Sequence, residues 1–493
     1  MSNPSSSSSG RADLIFRGAT LFDGSGDPAR TADVAVTGER IDAVGDLGAM
    51  AAEIEIDAAG KALAPGFIDV HTHDDRYLLS HPDVPAKASQ GVTTVVVGNC
   101  GVSVSPFVRE GLPPPPFDLL VDTEEHCFRS TGDYFDRLDK SPAALNSLTL
   151  IGHTTLRYNA MDDLERSATD KEIDVMRGLM SDALEAGAVG MSSGLFYPPA
   201  KAASTDEVAA VAETLGPVDA VYTAHIRDES EHVLEAIEEA AEIARRGGVQ
   251  LVISHHKTSG AANFGRTRET LPLIEELMAK QRVTLDVYPY IASSTVLLPA
   301  YAETASKVLV TWCTKRPDVA GRDLDEIAAE LGLGRREAAE QLLPAGAVYF
   351  QMAEEDVQRV IAFPNAMIGS DGLPSDSHPH PRLWGTFPRV LGHYARDLGI
   401  MSMEDAVRSM TGLPAKEFGL KERGLVKPGY YADLVLFDPA TVIDRADFQN
   451  PMQPAGGIDR VLVNGEPVWQ AGAATGARPG RAIRLQETAR GAG

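Results

Sequence analysis

The chain has 493 residues, 43% apolar and 23% charged, and a formal net charge of −25 at neutral pH. That length calls for more than one structural unit, and the surplus of acid excludes the basic face that nucleic acid or an anionic membrane surface recruits. Three cysteines, Cys100, Cys127 and Cys313, are too few for a disulfide framework. No apolar run reaches the ~18 residues of a membrane span. The first ten residues are serine-rich and lack the apolar core of a signal peptide. They are expected to form a disordered tail on a cytoplasmic protein.

Residues 11–64 read as short strands. Asp13-Leu14-Ile15-Phe16 runs toward the turn cluster Asp23-Gly24-Ser25-Gly26, and Asp33-Val34-Ala35-Val36 and Arg40-Ile41-Asp42-Ala43-Val44 follow with period-two patterning. The far end, 425–485, repeats the style. Leu434-Val435-Leu436-Phe437 is strand-like, and Asn464-Gly465 links two strands as a type I′ hairpin turn. Neither end can bury a good core alone. The economical solution is one β-sandwich built from both ends.

Between them, over 65–424, apolar strands alternate with amphipathic helices, the pattern of a parallel sheet with helical crossovers. Eight strand candidates occupy 66–73, 92–98, 148–153, 188–193, 220–225, 249–255, 283–288 and 366–371. One helix, 231–246, places Val233, Ile237, Ala240, Ala241 and Ile243 on one face and stops at Gly247-Gly248. Eight such units suit a closed (β/α)₈ TIM-like barrel. The gap between the last two strands is too long for a loop. Residues 291–348 are therefore expected to form an inserted subdomain, with helical runs at 323–331 and 335–343.

Polar residues recur where these strands end, the face on which barrel enzymes place their sites. His71 and His73 sit two apart on the first strand and so share a face. Cys100 follows the second strand, His225 ends the fifth, His255-His256 ends the sixth and Asp371 ends the eighth. Each residue alone has an ordinary packing explanation. On one rim of one barrel they read as a metal site. Adjacent strand residues point oppositely, so His255 is the expected ligand and His256 packs outward. Cys127 and Cys313 read as packing residues, and His153 as a structural one.

The order His-x-His, strand-five His, strand-six His, strand-eight Asp resembles the metal-dependent amidohydrolase superfamily, a barrel paired with a β-sandwich from both termini. Many binuclear members carry a lysine on strand four; here Gly190-Met191-Ser192-Ser193-Gly194 has none. Cys100 can supply the anionic ligand as a thiolate. That substitution resembles the N-acyl-D-amino-acid deacylases, or D-aminoacylases. So do Gly66-Phe67-Ile68-Asp69-Val70-His71-Thr72-His73-Asp74-Asp75, Val97-Gly98-Asn99-Cys100-Gly101, His225-Ile226-Arg227-Asp228-Glu229, Ser254-His255-His256-Lys257, Asp286-Val287-Tyr288-Pro289-Tyr290 and His380-Pro381-Arg382.

The resemblance implies zinc held tightly by Cys100, His225 and His255, with His71 and His73 lining a second, weaker position. It implies hydrolysis of N-acyl-D-amino acids by a metal-activated water, with Asp371 as general base and then acid. The small-molecule substrate carries a carboxylate, for which Lys257 and Arg382 are candidate anchors. Tyr197, Tyr288 and Ser294 are candidate hydrogen-bond donors. The apolar run Val296-Leu297-Leu298 favours hydrophobic amino-acid side chains. The same constellation would serve a related amidohydrolase acting on a D-aminoacyl peptide or a cyclic imide. A non-catalytic assembly protein on this fold should have lost the ligands, which this chain keeps.

Overall fold

The computed structural model describes residues 11–490 apart from position 122, so the tail expected over 1–10 lies outside the described residues. Eight strands form one parallel sheet in chain order: Phe67–Asp69, Val92–Val97, Asn146–Gly152, Gly190–Gly194, Val221–His225, Gln250–Ile253, Val283–Val287 and Ala366–Ile368. Every residue of these strands is buried. That is why they do not show the apolar-polar alternation of a half-exposed strand. The barrel closes through a parallel bridge between Thr72 and Gly372, reinforced by the Asp371 N–H donating to the His71 carbonyl at 2.8 Å. Closure is thus made by the segments that carry the first- and last-strand site residues.

The outer helices obey local rules. Asp170–Ala186 starts in a capping box between Thr169 and Glu172. Val233–Gly247 buries Val233, Ile237, Ala240, Ala241 and Ile243 and ends at Gly248, whose φ of 67° takes the left-handed cap.

The chain ends share a nine-stranded sheet. Its seam is antiparallel pairing of Ala62–Pro65 with Leu434–Phe437. The first strand, Arg11–Leu21, serves two layers. It pairs with Ala51–Asp57 through Arg17, and then, past an irregularity between Phe16 and Ala19, with Ala62 and Leu63. A bulge that bends one strand between layers is how a single sheet folds into a sandwich. The Asn464-Gly465 hairpin has φ of 48° and 83°, the type I′ turn expected from the sequence. A Cβ on Gly465 would meet the Gly38 carbonyl at 2.0 Å.

The insertion carries the two expected helices, Leu324–Leu331 and Arg335–Leu342. It also has a three-stranded antiparallel sheet, Ala292–Val296, Lys307–Cys313 and Ala345–Phe350, with the last strand central. These strands have no sequence-level counterpart above. Ala345-Gly346-Ala347 has poor strand propensity, and pairing with two segments far back along the chain overrides it. The insertion has its own apolar core, including Val308, Leu324, Ile327, Leu342 and Tyr349.

Candidate metal centre

The first strand ends at Asp69, and the chain carries His71 and His73 past a bend onto the rim. Asp69 anchors this end: its carboxylate accepts from Lys87 Nζ at 2.8 Å and from the Ser370 N–H at 2.8 Å. Lys87, itself fully buried, also donates to Ser370 Oγ at 2.6 Å. The tips of the first and eighth strands are thereby locked together beneath the rim. His71 Nδ1 lies 3.2 and 3.3 Å from the two oxygens of Asp286. Asp286 Oδ1 also accepts the His255 N–H at 2.8 Å. One carboxylate on the seventh strand therefore orients groups from the first and sixth, and turns His71 Nε2 toward the rim.

Cys100 sits in the tight turn Gly98-Asn99-Cys100-Gly101. A Cβ on Gly98 would meet the Leu150 carbonyl at 2.0 Å, and its φ is 79°. Strand four, which lacks the lysine of many binuclear relatives, holds this turn instead. Ser192 Oγ accepts the Gly101 N–H at 2.9 Å and donates to the Gly98 carbonyl at 2.5 Å.

Cys100 Sγ lies 3.2 Å from His71 Nε2 and 3.4 Å from His255 Nε2, and His255 Nε2 is 3.0 Å from His225 Nδ1. Behind the ring, His255 Nδ1 lies 3.1 Å from Glu229 Oε1 and 2.8 Å from Lys257 Nζ, so this ion pair backs His255 while its Nε2 faces the centre. Two sets of donors result, His71-His73-Cys100-Asp371 and Cys100-His225-His255. Within each set the ligand atoms lie within 4.8 Å of one another, and all these residues are buried. Around tetrahedral zinc, neighbouring donor atoms stand about 3.3–3.6 Å apart, so a thiol and two imidazoles at 3.0 and 3.4 Å fit a zinc-sized ion. Without an ion, three converging lone-pair donors would oppose one another.

Three of the eight non-glycine residues with left-handed backbone among the described residues are Cys100, His255 and Asp371, at φ 54°, 36° and 50°. Each such residue costs about 1 kcal/mol or more. Their clustering marks a site whose geometry is imposed by the surrounding barrel.

The charges reinforce the geometry. Burial opposes ionisation of the Cys100 thiol, but the His71 and His255 imidazoles outweigh it and hold the thiol well below its ordinary range. Burial likewise opposes ionisation of Asp371, and Arg382, His255 and His71 overcome it, leaving the carboxyl well below the usual carboxylate range. Burial and His255 push His225 down. His73 goes the other way: burial lowers it, but Asp371 and Cys100 raise it to about 9. His256 is pushed down to about 4, first by burial and then by Lys257. It faces away from the centre, its Nε2 2.8 Å from Thr270 Oγ1.

Asp371 Oδ1 is 3.2 Å from His73 Nε2 and 3.5 Å from His71 Nε2, and Oδ2 is 2.9 Å from Arg382 Nη1. No helix starts at Asp371, so it does not serve as a cap. Arg382 is fully buried, donates from Nη2 to the Ser294 carbonyl at 3.0 Å and lies 4.6 Å from the Tyr288 ring centroid. Arg382 Nε, Ser294 Oγ and Tyr288 Oη are buried without a hydrogen-bond partner, which leaves donors free for an incoming anion. Tyr197 packs its ring 5.1 Å from that of His225, and its hydroxyl is 3.0 Å from Thr295 Oγ1. Lys257 is differently engaged: its ammonium donates to Glu229 Oε1 at 2.6 Å and to the His255 carbonyl at 2.9 Å.

Glu229, Asp286, Asp69 and Lys87 are the residues that sequence reasoning left without roles. The first three stand inside the quoted motifs, yet only the closed barrel shows which side chains they face. Cys127 and Cys313 are free thiols away from the centre, and Cys313 is buried in the core of the insertion. No helix among the described residues is long and apolar enough to cross a membrane.

Comparison with known proteins agrees with this architecture. The amidohydrolase family model matches residues 55–339 and 219–469. A D-aminoacylase of Alcaligenes xylosoxydans xylosoxydans is 54% identical over 471 residues, covering 96% of this chain and 97% of the relative. A solved D-aminoacylase studied for its binuclear metal centre superposes with a TM-score of 0.94 at 53% identity, over 96% of this chain and all of the other. The N-acyl-D-glutamate deacylase of Bordetella bronchiseptica, solved with zinc and a phosphonate mimic of the tetrahedral intermediate, superposes with a TM-score of 0.92 at 44% identity, again over 96% and 100%. With the family model and relatives matched from end to end, the chain belongs to the amidohydrolase family and, within it, to the D-aminoacylases.

Proposed function

We infer that this enzyme is a zinc-dependent deacylase that hydrolyses N-acyl-D-amino acids to a carboxylate and the free D-amino acid. The observation that carries the reading is the convergence on His255 Nε2 of Cys100 Sγ at 3.4 Å and His225 Nδ1 at 3.0 Å, all three ligand atoms lying within 4.8 Å of one another, in a chain 54% identical to a D-aminoacylase along its length. Cys100, His225 and His255 hold the tight ion. His71 and His73, with Cys100 shared, line a second and weaker position, because His73 is already engaged by Asp371 at 3.2 Å. When bound, zinc supplies a Lewis acid for the amide carbonyl and acidifies a water.

The chain's own residues do the rest. Asp371, ionised and buried at the mouth of both sets, takes the proton of the attacking water and returns it to the departing amine nitrogen. Arg382 clamps the substrate carboxylate through its free N–H groups, assisted by Ser294 Oγ and Tyr288 Oη. Lys257, tied to Glu229 and 2.8 Å from His255 Nδ1, contributes positive charge to the same wall. Tyr197 lines the opposite side. A reducing cytoplasm suits a thiol that must remain a ligand, and the net charge of −25 offers no footing for nucleic acid or an anionic membrane.

The test is to digest N-acetyl-D-methionine and N-acetyl-L-methionine in parallel and resolve the products by chiral chromatography. Release of D-methionine alone is expected; faster cleavage of the L-form would overturn the assignment.

A further inference from the structure

A cavity of about 350 Å³ opens beside the metal centre, between the insertion and the proline-rich 113–118 loop. Its walls are apolar, chiefly Val296, Leu297, Leu298, Leu343 and Pro116. Tyr197 lines it and joins it to the centre, since the same ring packs 5.1 Å from that of His225. The only carboxyl side chain in its lining is that of Asp118, whose Oδ1 is buried without a partner.

The centre itself has a direction. Taken in order, the facing atoms are Asp371 Oδ1, His71 Nε2, Cys100 Sγ, His255 Nε2 and His225 Nδ1, separated by 3.5, 3.2, 3.4 and 3.0 Å. Arg382, the carboxylate anchor, stands at the Asp371 end. In an N-acylamino acid the amide nitrogen carries the carbon bearing that carboxylate, and the acyl chain leaves the carbonyl carbon on the other side. With the carboxylate at Arg382 and the nitrogen beside Asp371, the chain points past His225, toward Tyr197.

We propose that this cavity is the acyl-chain site of the enzyme and accepts neutral aliphatic or aryl acyl groups larger than acetyl. The assignment rests on the deacylase reading. It gives Val296-Leu297-Leu298 to the acyl chain rather than to the amino-acid side chain that the sequence favours. Asp118 makes the site hostile to acyl groups ending in a carboxylate, such as succinyl, by like-charge repulsion with poor solvation.

The experiment uses the zinc-loaded full chain with acetyl-, butyryl-, hexanoyl- and succinyl-D-leucine, and acetyl-D-alanine and acetyl-D-phenylalanine as the side-chain series. Burying a methylene is worth up to about fourfold, so KM should fall at least about tenfold from acetyl- to hexanoyl-D-leucine. Succinyl-D-leucine should be a poor substrate, improved about tenfold by Asp118→Asn. Leu298→Trp narrows the cavity and should cut the hexanoyl-to-acetyl ratio of kcat/KM about tenfold. The phenylalanine-to-alanine ratio should hold. If that second ratio falls instead, the cavity houses the side chain; if neither moves, it houses nothing of the substrate, and either result overturns the proposal. A wild-type rate that drops more than about tenfold from acetyl to hexanoyl overturns it without any variant. No turnover of any D-substrate would sink the deacylase reading, and the cavity assignment with it.

Discussion

The two donor sets share Cys100 and differ in what surrounds them. In Cys100-His225-His255, the supporting carboxylate, Glu229, sits behind the ligands, 3.1 Å from His255 Nδ1 and paired with Lys257 at 2.6 Å. In His71-His73-Cys100-Asp371, Asp286 backs His71 at 3.2 Å, but a second carboxylate, Asp371, also sits in front, 3.2 Å from His73 Nε2 and 3.5 Å from His71 Nε2. A carboxylate behind an imidazole makes it a better ligand; one in front competes with the ion for the same nitrogen. On the proposed reading, near-identical residue types thus give a tight position on one side and a weak one, beside the proton carrier, on the other.

The sharpest way to break this contrast is to remove the shared atom. Cys100→Ala should cut zinc from about one ion per chain to below about 0.1. It should also lower kcat by more than about a thousandfold, with elemental analysis and kinetics read on the same sample. Stoichiometric zinc at full speed would end the scheme. Next comes the group in front: Asp371→Asn should leave zinc in place and lower kcat about a thousandfold, with KM changing far less.

The group behind should act on affinity. Glu229→Gln is expected to weaken zinc about 10- to 100-fold in a chelator competition while sparing the zinc-saturated rate within about tenfold. A smaller effect belongs to the weak position. His73→Ala should abolish any second ion seen by titration and alter the one-zinc rate by less than about tenfold. A larger loss would mean that the two sets are not separable.

The smallest effect lies away from the site and shows only in acid. Glu207 pairs with buried Arg157 and faces His153. Burial favours its neutral form, but His153 and Arg157 outweigh it and bring the carboxyl from 4.5 to about 2. A carboxyl lowered in the folded state adds stability above its unfolded value, and that contribution is lost as pH falls from about 4.5 to 2. Glu207→Gln should therefore flatten the decline in Tm across that window, measured by calorimetry, with neutral-pH kinetics unchanged.

Much of this was legible along the chain. Barrel strands declare themselves because parallel strands are buried on both faces, so Val92-Thr93-Thr94-Val95-Val96-Val97 can be little else. The rim residues follow from where those runs stop. The sandwich hairpin follows from Asn464-Gly465, since few dipeptides tolerate two positive φ values. The strands of the insertion were not legible, because Ala345–Phe350 becomes a strand only by pairing on both edges with Ala292–Val296 and Lys307–Cys313. Lys257 reads as a free cation in sequence, yet it is bound to Glu229 in the fold, a pairing set by the turn after strand five.

Residue type and order alone determined the barrel, its sandwich of two chain ends and the thiol-and-imidazole donor set, because burial periodicity and ligand chemistry are local properties. Tertiary structure decided which carboxylate stands behind a ligand and which in front. It also set the left-handed backbone at Cys100, His255 and Asp371, and the side on which the apolar cavity opens. Those outcomes depend on directions and distances between strands that meet only when Thr72 reaches Gly372 and the barrel closes.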